Sequence, residues 1–130
     1  LPALAVSLAN RGNFFYETAA LTVLDLLKKS SSYAFPKRTI LNINVPDIPY
    51  EEIKGMQVTR CGKRHRSEPV IKSKDPRGRS LYWVGAPGAE ADAGPGTDFH
   101  AIKSGYVSVT PLKVDLTDRE LMPVVEAWLA

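Results

Sequence analysis

The chain has 130 residues, 44% of them hydrophobic and 24% charged, with a formal net charge of +3. That balance excludes a disordered or fibrous polypeptide and predicts one soluble domain burying roughly two-thirds of the surface its unfolded chain exposes. No run of about 18 apolar residues occurs, so a membrane-spanning helix is excluded, and the lone Cys61 has no partner for an internal disulfide, which points to a reducing, cytoplasmic setting.

In chain order, "ALAVSL" (3–8) is a nearly continuous apolar run, the kind expected of a strand buried on both faces of a parallel sheet. It begins in mid-pattern, without an initiator methionine or the basic region of a signal peptide, as though cut from a longer polypeptide. "NRGN" (10–13) supplies a turn. From Glu17 to Lys29 the residues Ala20, Val23, Leu24 and Leu27 recur at helical spacing, so this stripe is predicted to face a core while Asp25 and Lys28 face water. Lys28 and Lys29 suit the negative end of the helix dipole. After the linker-like "SSSYAFPKR", "TILNINV" (39–45) is a strand with Leu41, Ile43 and Val45 on one face and Asn42 and Asn44 on the other. Strand, helix and strand make a βαβ unit with parallel pairing as the expectation.

Beyond "PDIP" the pattern changes. "MQVTRC" (56–61) and "SLYWVG" (80–85) alternate like strands and are joined by "GKRHRSEPVIKSKDPRG", which predicts an extended antiparallel arm. Between Arg60 and Arg79 lie eight basic residues, among them Arg60, Lys63, Arg64 and Arg66, against Glu68 and Asp75. Such a field suits phosphate-bearing ligands, but lysines and arginines also blunt exposed strand edges, and both readings stay open. "YVSVTPL" (106–112) is the last strand. Thr117 and Glu120 then fit a capping box, and Pro123 demands either a kink or a fresh helix start.

No phosphate loop, dinucleotide fingerprint, zinc spacing or nucleophile elbow is present. His65 and His100 lack a second histidine at ligating spacing, and Cys61 reads as a half-buried strand residue. In "DAGPGTDFHAIK" (92–103), Asp92, Thr97 and Asp98 are hard oxygen donors of the type Mg²⁺ or Mn²⁺ prefers. The same residues are what a helix start needs to cap its own backbone, and the two readings are not exclusive, since a helix start also suits an anion. Asn42 and Asn44 either reach a site at a strand end or satisfy neighbouring backbone.

Taken together and in order, "LPALAVSL", "ILNINVPD", "IKGMQVTRCGKRH", "DPRGRSLYWVG" and "DAGPGTDFHAIKSGYVSVTPLKVDLT" resemble the C-terminal half of the stationary-phase survival protein SurE family. The resemblance implies an α/β fold: a Rossmann-like sheet core at 1–59, a basic β-hairpin arm at 60–84, a loop and strand at 85–114 and a C-terminal tail helix at 115–130, all of one domain. It also implies divalent-metal-dependent hydrolysis of nucleoside 5′- and 3′-monophosphates, with some exopolyphosphatase activity, by a cytoplasmic homodimer or homotetramer. The family's metal ligands are two adjacent aspartates, a serine and an asparagine of the N-terminal half, none of which this sequence contains, so no metal ligand is expected here and the 130 residues alone should be inactive.

Since ligands in open α/β sheets sit beyond the carboxyl ends of strands, Ser7 and Asn10 are candidate walls of the substrate site. Thr97 and Asp98 are a second wall. The basic arm favours assembly under this resemblance, shaping a neighbour's site or meeting acids such as Asp115, Asp118, Glu120 or Glu126. The competing reading is a non-catalytic polyanion-binding or oligomerisation module built on the arm. No membrane is an expected partner, and nucleic acid is not favoured.

Overall fold

The computed structural model describes residues 3–9, 12–30, 35–36 and 38–129. Its centre is a four-stranded sheet. Strand β1 (Ala3–Ala9) leads through helix α1 (Tyr16–Ser30) to β2 (Thr39–Pro46), and the two strands pair in parallel, as the βαβ reading requires. A single 3₁₀ turn, Tyr50–Glu52, leads into the short β3 (Met56–Val58). The chain then leaves the sheet as β4 (Lys63–Arg64), β5 (Ile71–Lys74), β6 (Ser80–Trp83) and β7 (Glu90–Asp92). It returns through α2 (Asp98–Lys103) to β8 (Val107–Lys113) and ends in α3 (Met122–Leu129). The sheet order is β1-β2-β8-β3, with β8 antiparallel to β2 and parallel to β3.

Register explains why the sheet is apolar on one side and polar on the other. Val6, Ile43, Val109 and Val58 stand in one cross-strand row, and Ser7, Asn44, Ser108 and Gln57 in the next. Successive side chains alternate faces, so one row is offered to α1 and the other to α2. Leu41, Ile43, Val45 and Val107 form the buried core, with Ala19 and Leu26 of α1 packed on it. Burying each such aliphatic side chain stabilises the fold by roughly 1.5–3 kcal/mol. On the polar side the hydroxyls of Ser108 and Thr110, both buried, meet the Thr59 hydroxyl at 2.8 and 2.7 Å, so these groups lose no hydrogen bonding on burial.

Helix α1 is where the sequence pattern misleads. The predicted stripe of Ala20, Val23, Leu24 and Leu27 does not form the core face; Leu24 and Leu27 are 52% and 48% exposed, whereas Thr18 and Thr22 are buried. The cause lies at the helix start. The buried Asp47 carboxylate accepts the backbone N–H groups of Asn13, Phe14 and Phe15 at 2.9, 3.2 and 2.9 Å, and the Thr18 hydroxyl donates to the Ile48 carbonyl at 2.8 Å. These bonds set the helix rotation so that Thr18, Ala19, Thr22 and Leu26 meet the sheet. At about 100° per residue, Ala20, Leu24 and Leu27 then lie on the opposite side.

Three further expectations are corrected. Strand β1 is an edge strand with Ala3, Ala5, Val6 and Ser7 exposed, because the sheet has no strand beyond it among the described residues. "MQVTRC" and "SLYWVG" do not pair with one another: β3 pairs with β8, while β5 pairs with β6 and β4 with β7, so the excursion is a hairpin carried on a two-stranded root. The Thr117–Glu120 box does not form; Asp118 accepts from Glu120 and Leu121 N–H at 3.1 and 3.0 Å and so shapes the turn that leads into the terminal helix. The helix starts afresh with Pro123 in its first turn, where its missing N–H costs nothing.

Candidate functional site

The parallel strands β1 and β2 run to the same end of the sheet, where Ala9 and Asn44 lie. Helix α2 lies across β2 and β8 and turns the side chains of Asp98, Phe99, Ile102 and Lys103 toward that end. The root of the arm, β4 with β7, adds Arg64 and Glu90. These eight residues line a cavity of about 370 Å³ at the carboxyl ends of the parallel pair, the position at which open α/β sheets bind ligands.

The loop from Asp92 to Asp98 fixes this wall. Its backbone is fastened to the arm root by Arg60 N–H donating to the Gly96 carbonyl at 3.0 Å and Asp98 N–H to the Arg60 carbonyl at 3.1 Å. Thr97, fully buried, donates its hydroxyl to the Gly94 carbonyl at 2.7 Å and accepts from His100 N–H at 3.2 Å, so it is the N-cap of α2. One oxygen of Asp98 accepts from Phe99 N–H at 2.9 Å and from Gly62 N–H at 2.8 Å. The first-turn donors of α2 are therefore already used. Of the two readings left open for this loop, capping is the one its hydrogen bonds express.

Gly62 is required by the contact this makes. A Cβ there would lie 2.4 Å from the Phe99 ring and 2.5 Å from the Asp92 carbonyl oxygen, so only glycine lets the arm pass over α2 this closely. Beyond it, the Arg64 guanidinium lies over the Phe99 ring, 4.8 Å from Cζ to the centroid, and donates to the Gly88 carbonyl at 3.2 Å. The remaining charges near the cavity are paired. Lys103 meets Glu90, and Arg60 grips Asp92 through two bonds of 2.5 and 3.0 Å. Hydrogen bonding from Arg60 holds the Asp92 carboxyl below the usual carboxylate range.

Of the residues singled out from sequence, Asp98, Arg64 and Asn44 line the cavity. Thr97 stands behind the wall as its cap. Ser7 is exposed on β1 beside Asn44 and is not part of the lining, and Asn10 lies outside the described residues. Arg60 is tied to Asp92, whereas Lys63 and Arg66 are exposed on the arm and, like Arg64, meet none of Asp115, Asp118, Glu120 or Glu126 through an ion pair among the described residues. Cys61 is exposed and outside any strand, contrary to the half-buried expectation. Phe99, Glu90 and Lys103 were not anticipated. The one sequence signal for them is Gly62, whose need to clear a ring becomes evident only once the arm is seen to fold back on α2.

No group of three or more His, Cys, Asp or Glu among the described residues could hold a metal ion. The carboxylates at the cavity and beside it, Asp98, Glu90 and Asp92, are committed to backbone N–H groups, to Lys103 and to Arg60, so the residues present do not fit a divalent cation. No helix among the described residues is long and apolar enough to cross a membrane.

Comparison with known proteins sharpens this picture. The family profile described as Survival protein SurE matches residues 1–68. A protein named 5′-nucleotidase SurE from Halorhodospira halophila is 54% identical over 130 residues, covering 99% of this chain and 52% of that relative. Its namesake in Coxiella burnetii is 55% identical over 129 residues, covering 99% and 50%. Among solved structures, the SurE protein of Aquifex aeolicus superposes with a TM-score of 0.78 at 41% identity, covering 100% of this chain and 52% of the other. The chain thus spans about half the length of the relatives it matches.

Proposed function

The chain belongs to the survival protein SurE family, and from that premise we propose that it is the scaffold half of a cytoplasmic nucleotidase that hydrolyses nucleoside 5′- and 3′-monophosphates to nucleoside and phosphate. The observation that carries this reading is the 54% identity, over nearly the whole chain, to a protein named 5′-nucleotidase SurE. Three structural features support it. The cavity stands at the carboxyl ends of β1 and β2, and among the described residues the outer edge of β1 is open and the face of α1 bearing Ala20, Leu24 and Leu27 is uncovered. A companion half docking against that edge and face would complete the cavity.

In this reading the companion half holds the divalent ion, Mg²⁺ or Mn²⁺, since the carboxylates at the cavity and beside it, Asp98, Glu90 and Asp92, are otherwise engaged. Asp98 anchors the arm root and Thr97 holds α2 in place. The exposed apolar residues of the hairpin, Tyr82 and Trp83 at 64% and 62%, and of the tail, Trp128 at 81%, make the homodimer or homotetramer contacts. The test is phosphate release from AMP by the intact protein with added Mn²⁺ or Mg²⁺. Activity lost on chelation is the expected result, with none from the 130 residues alone; turnover by this chain by itself would overturn the division between halves. Short polyphosphate is expected as a poorer substrate in the same assay.

The exposed Lys63 and Arg66 favour a second reading, a polyanion-binding arm. Charge reversal at Arg66 and Lys72 should then abolish retention on a polyphosphate column, with steep salt dependence. An unchanged elution profile would dispose of it.

A further inference from the structure

We propose that the stacked pair Arg64 and Phe99, with Asn44 beside it, is the surface against which the nucleobase of the substrate rests. This inference deepens the nucleotidase reading and rests on it. The cavity, about 370 Å³, falls within the range of small-molecule sites, roughly 300–1,000 Å³. Its two cationic side chains differ in kind. Lys103 is neutralised by Glu90. Arg64 has no ion-pair partner among the described residues; its guanidinium lies over Phe99 and donates to a backbone carbonyl.

A phosphate subsite gathers several unpaired donors around one point. A single planar cation laid on a planar ring instead offers a flat face, and nucleobases stack on aromatic rings and on arginine planes alike. The platform is also rigid. Gly62 packs on the Phe99 ring edge with room for no Cβ, which closes that side to ring motion. Asn44, on the cavity wall, has no hydrogen-bond partner for its amide among the described residues and carries the donor and acceptor that a base edge or ribose hydroxyl needs.

The experiment uses the intact protein with two substrates that share a ribose phosphate, AMP and ribose 5-phosphate, and the variants Arg64→Ala and Arg64→Lys. Both variants should raise KM for AMP roughly tenfold, the effect of losing one base stack. kcat should stay within about twofold, and kcat/KM for ribose 5-phosphate and the melting temperature should not change. Lysine keeps the charge and loses the plane, so restoration of the AMP KM by Arg64→Lys would overturn the inference. So would a parallel loss on ribose 5-phosphate, which would mean that Arg64 handles phosphate, or no change on either substrate. A parent enzyme whose kcat/KM for ribose 5-phosphate equals that for AMP would sink the base platform and leave a phosphatase; one that turns over neither would sink the nucleotidase reading and this inference with it.

Discussion

The sheet with α2 and the arm with the tail obey different rules. In the first region polar groups are buried and paired: Thr97, Ser108 and Thr110 are almost inaccessible, and each hydroxyl has a partner within 2.8 Å. In the second, large apolar side chains face water, with Val84 at 85%, Leu116 at 93% and Trp128 at 81% exposure. A region that satisfies itself needs no neighbour to stay folded, while one that exposes aromatic and aliphatic surface is shaped for contact with another chain. The cavity stands at the seam, walled on one side by fixed core residues and on the other by the arm root. Under the proposed function, substrate binding and assembly would share structure at residues 60–64.

Removing residues 115–129 from the intact protein tests that contrast most severely. The assembly should fall to a smaller species by sedimentation, while the fold of the sheet, followed by its melting transition, changes little. Within the self-satisfied region the largest expected loss is at Asp47. Asp47→Ala strands three backbone N–H groups at the start of α1 and should cost about 3 kcal/mol in urea unfolding. It also releases Phe14, held at φ 63°, from a left-handed conformation that a bulky residue rarely adopts. Next comes the seam itself: Gly62→Ala drives a methyl into Phe99 and the Asp92 carbonyl and should cost about 2 kcal/mol. A loss of sheet stability on truncating the tail as severe as that of the sheet variants would erase the distinction between the two regions.

Alternation and periodicity made the sheet legible. "TILNINV" assigned Leu41, Ile43 and Val45 to one face and Asn42 and Asn44 to the other, and the βαβ unit implied the parallel pairing of β1 with β2. Helix α1 was placed to within a residue at each end, yet its buried face was misjudged. Its amphipathic stripe is real and simply is not the stripe that meets β2. Thr18, Thr22 and the carboxylate of Asp47, more than thirty residues from Asn13 and Phe14, determine the rotation, and no local pattern announces a bond of that span. The site was legible only in part for the same reason. Thr97 and Asp98 declare a helix cap by their position before "FHAI", but the stacking of Arg64 on Phe99 depends on the arm folding back, which β4 and β7 achieve with only two and three residues.

Smaller effects separate the cap from the seam. Thr97→Val keeps the shape of the side chain and deletes its hydroxyl, so the loss should be about 1 kcal/mol, whereas Thr97→Ser should lose only roughly a few tenths. Equal losses in the two would make Thr97 a packing residue.

The weakest effect expected is electrostatic, and it has a definite sign. The Asp92 carboxyl, hydrogen-bonded by Arg60, has a folded pKa below its ordinary value. Asp75 is lowered in the same sense by the Arg79 backbone N–H and side chain. Such groups contribute stability that is complete above the unfolded value, about 3.9, and is lost as pH falls through the lowered folded value. Arg60→Gln should therefore melt slightly below the parent at pH 7, and the gap should close as the pH is taken from about 4 toward 2. Both groups are accessible to water, so added salt should narrow the gap at neutral pH as well. A gap that persists at pH 2 would mean that Arg60 acts through packing of its stem against the arm root, and the seam would then belong, like the sheet beneath it, to the region held by contact.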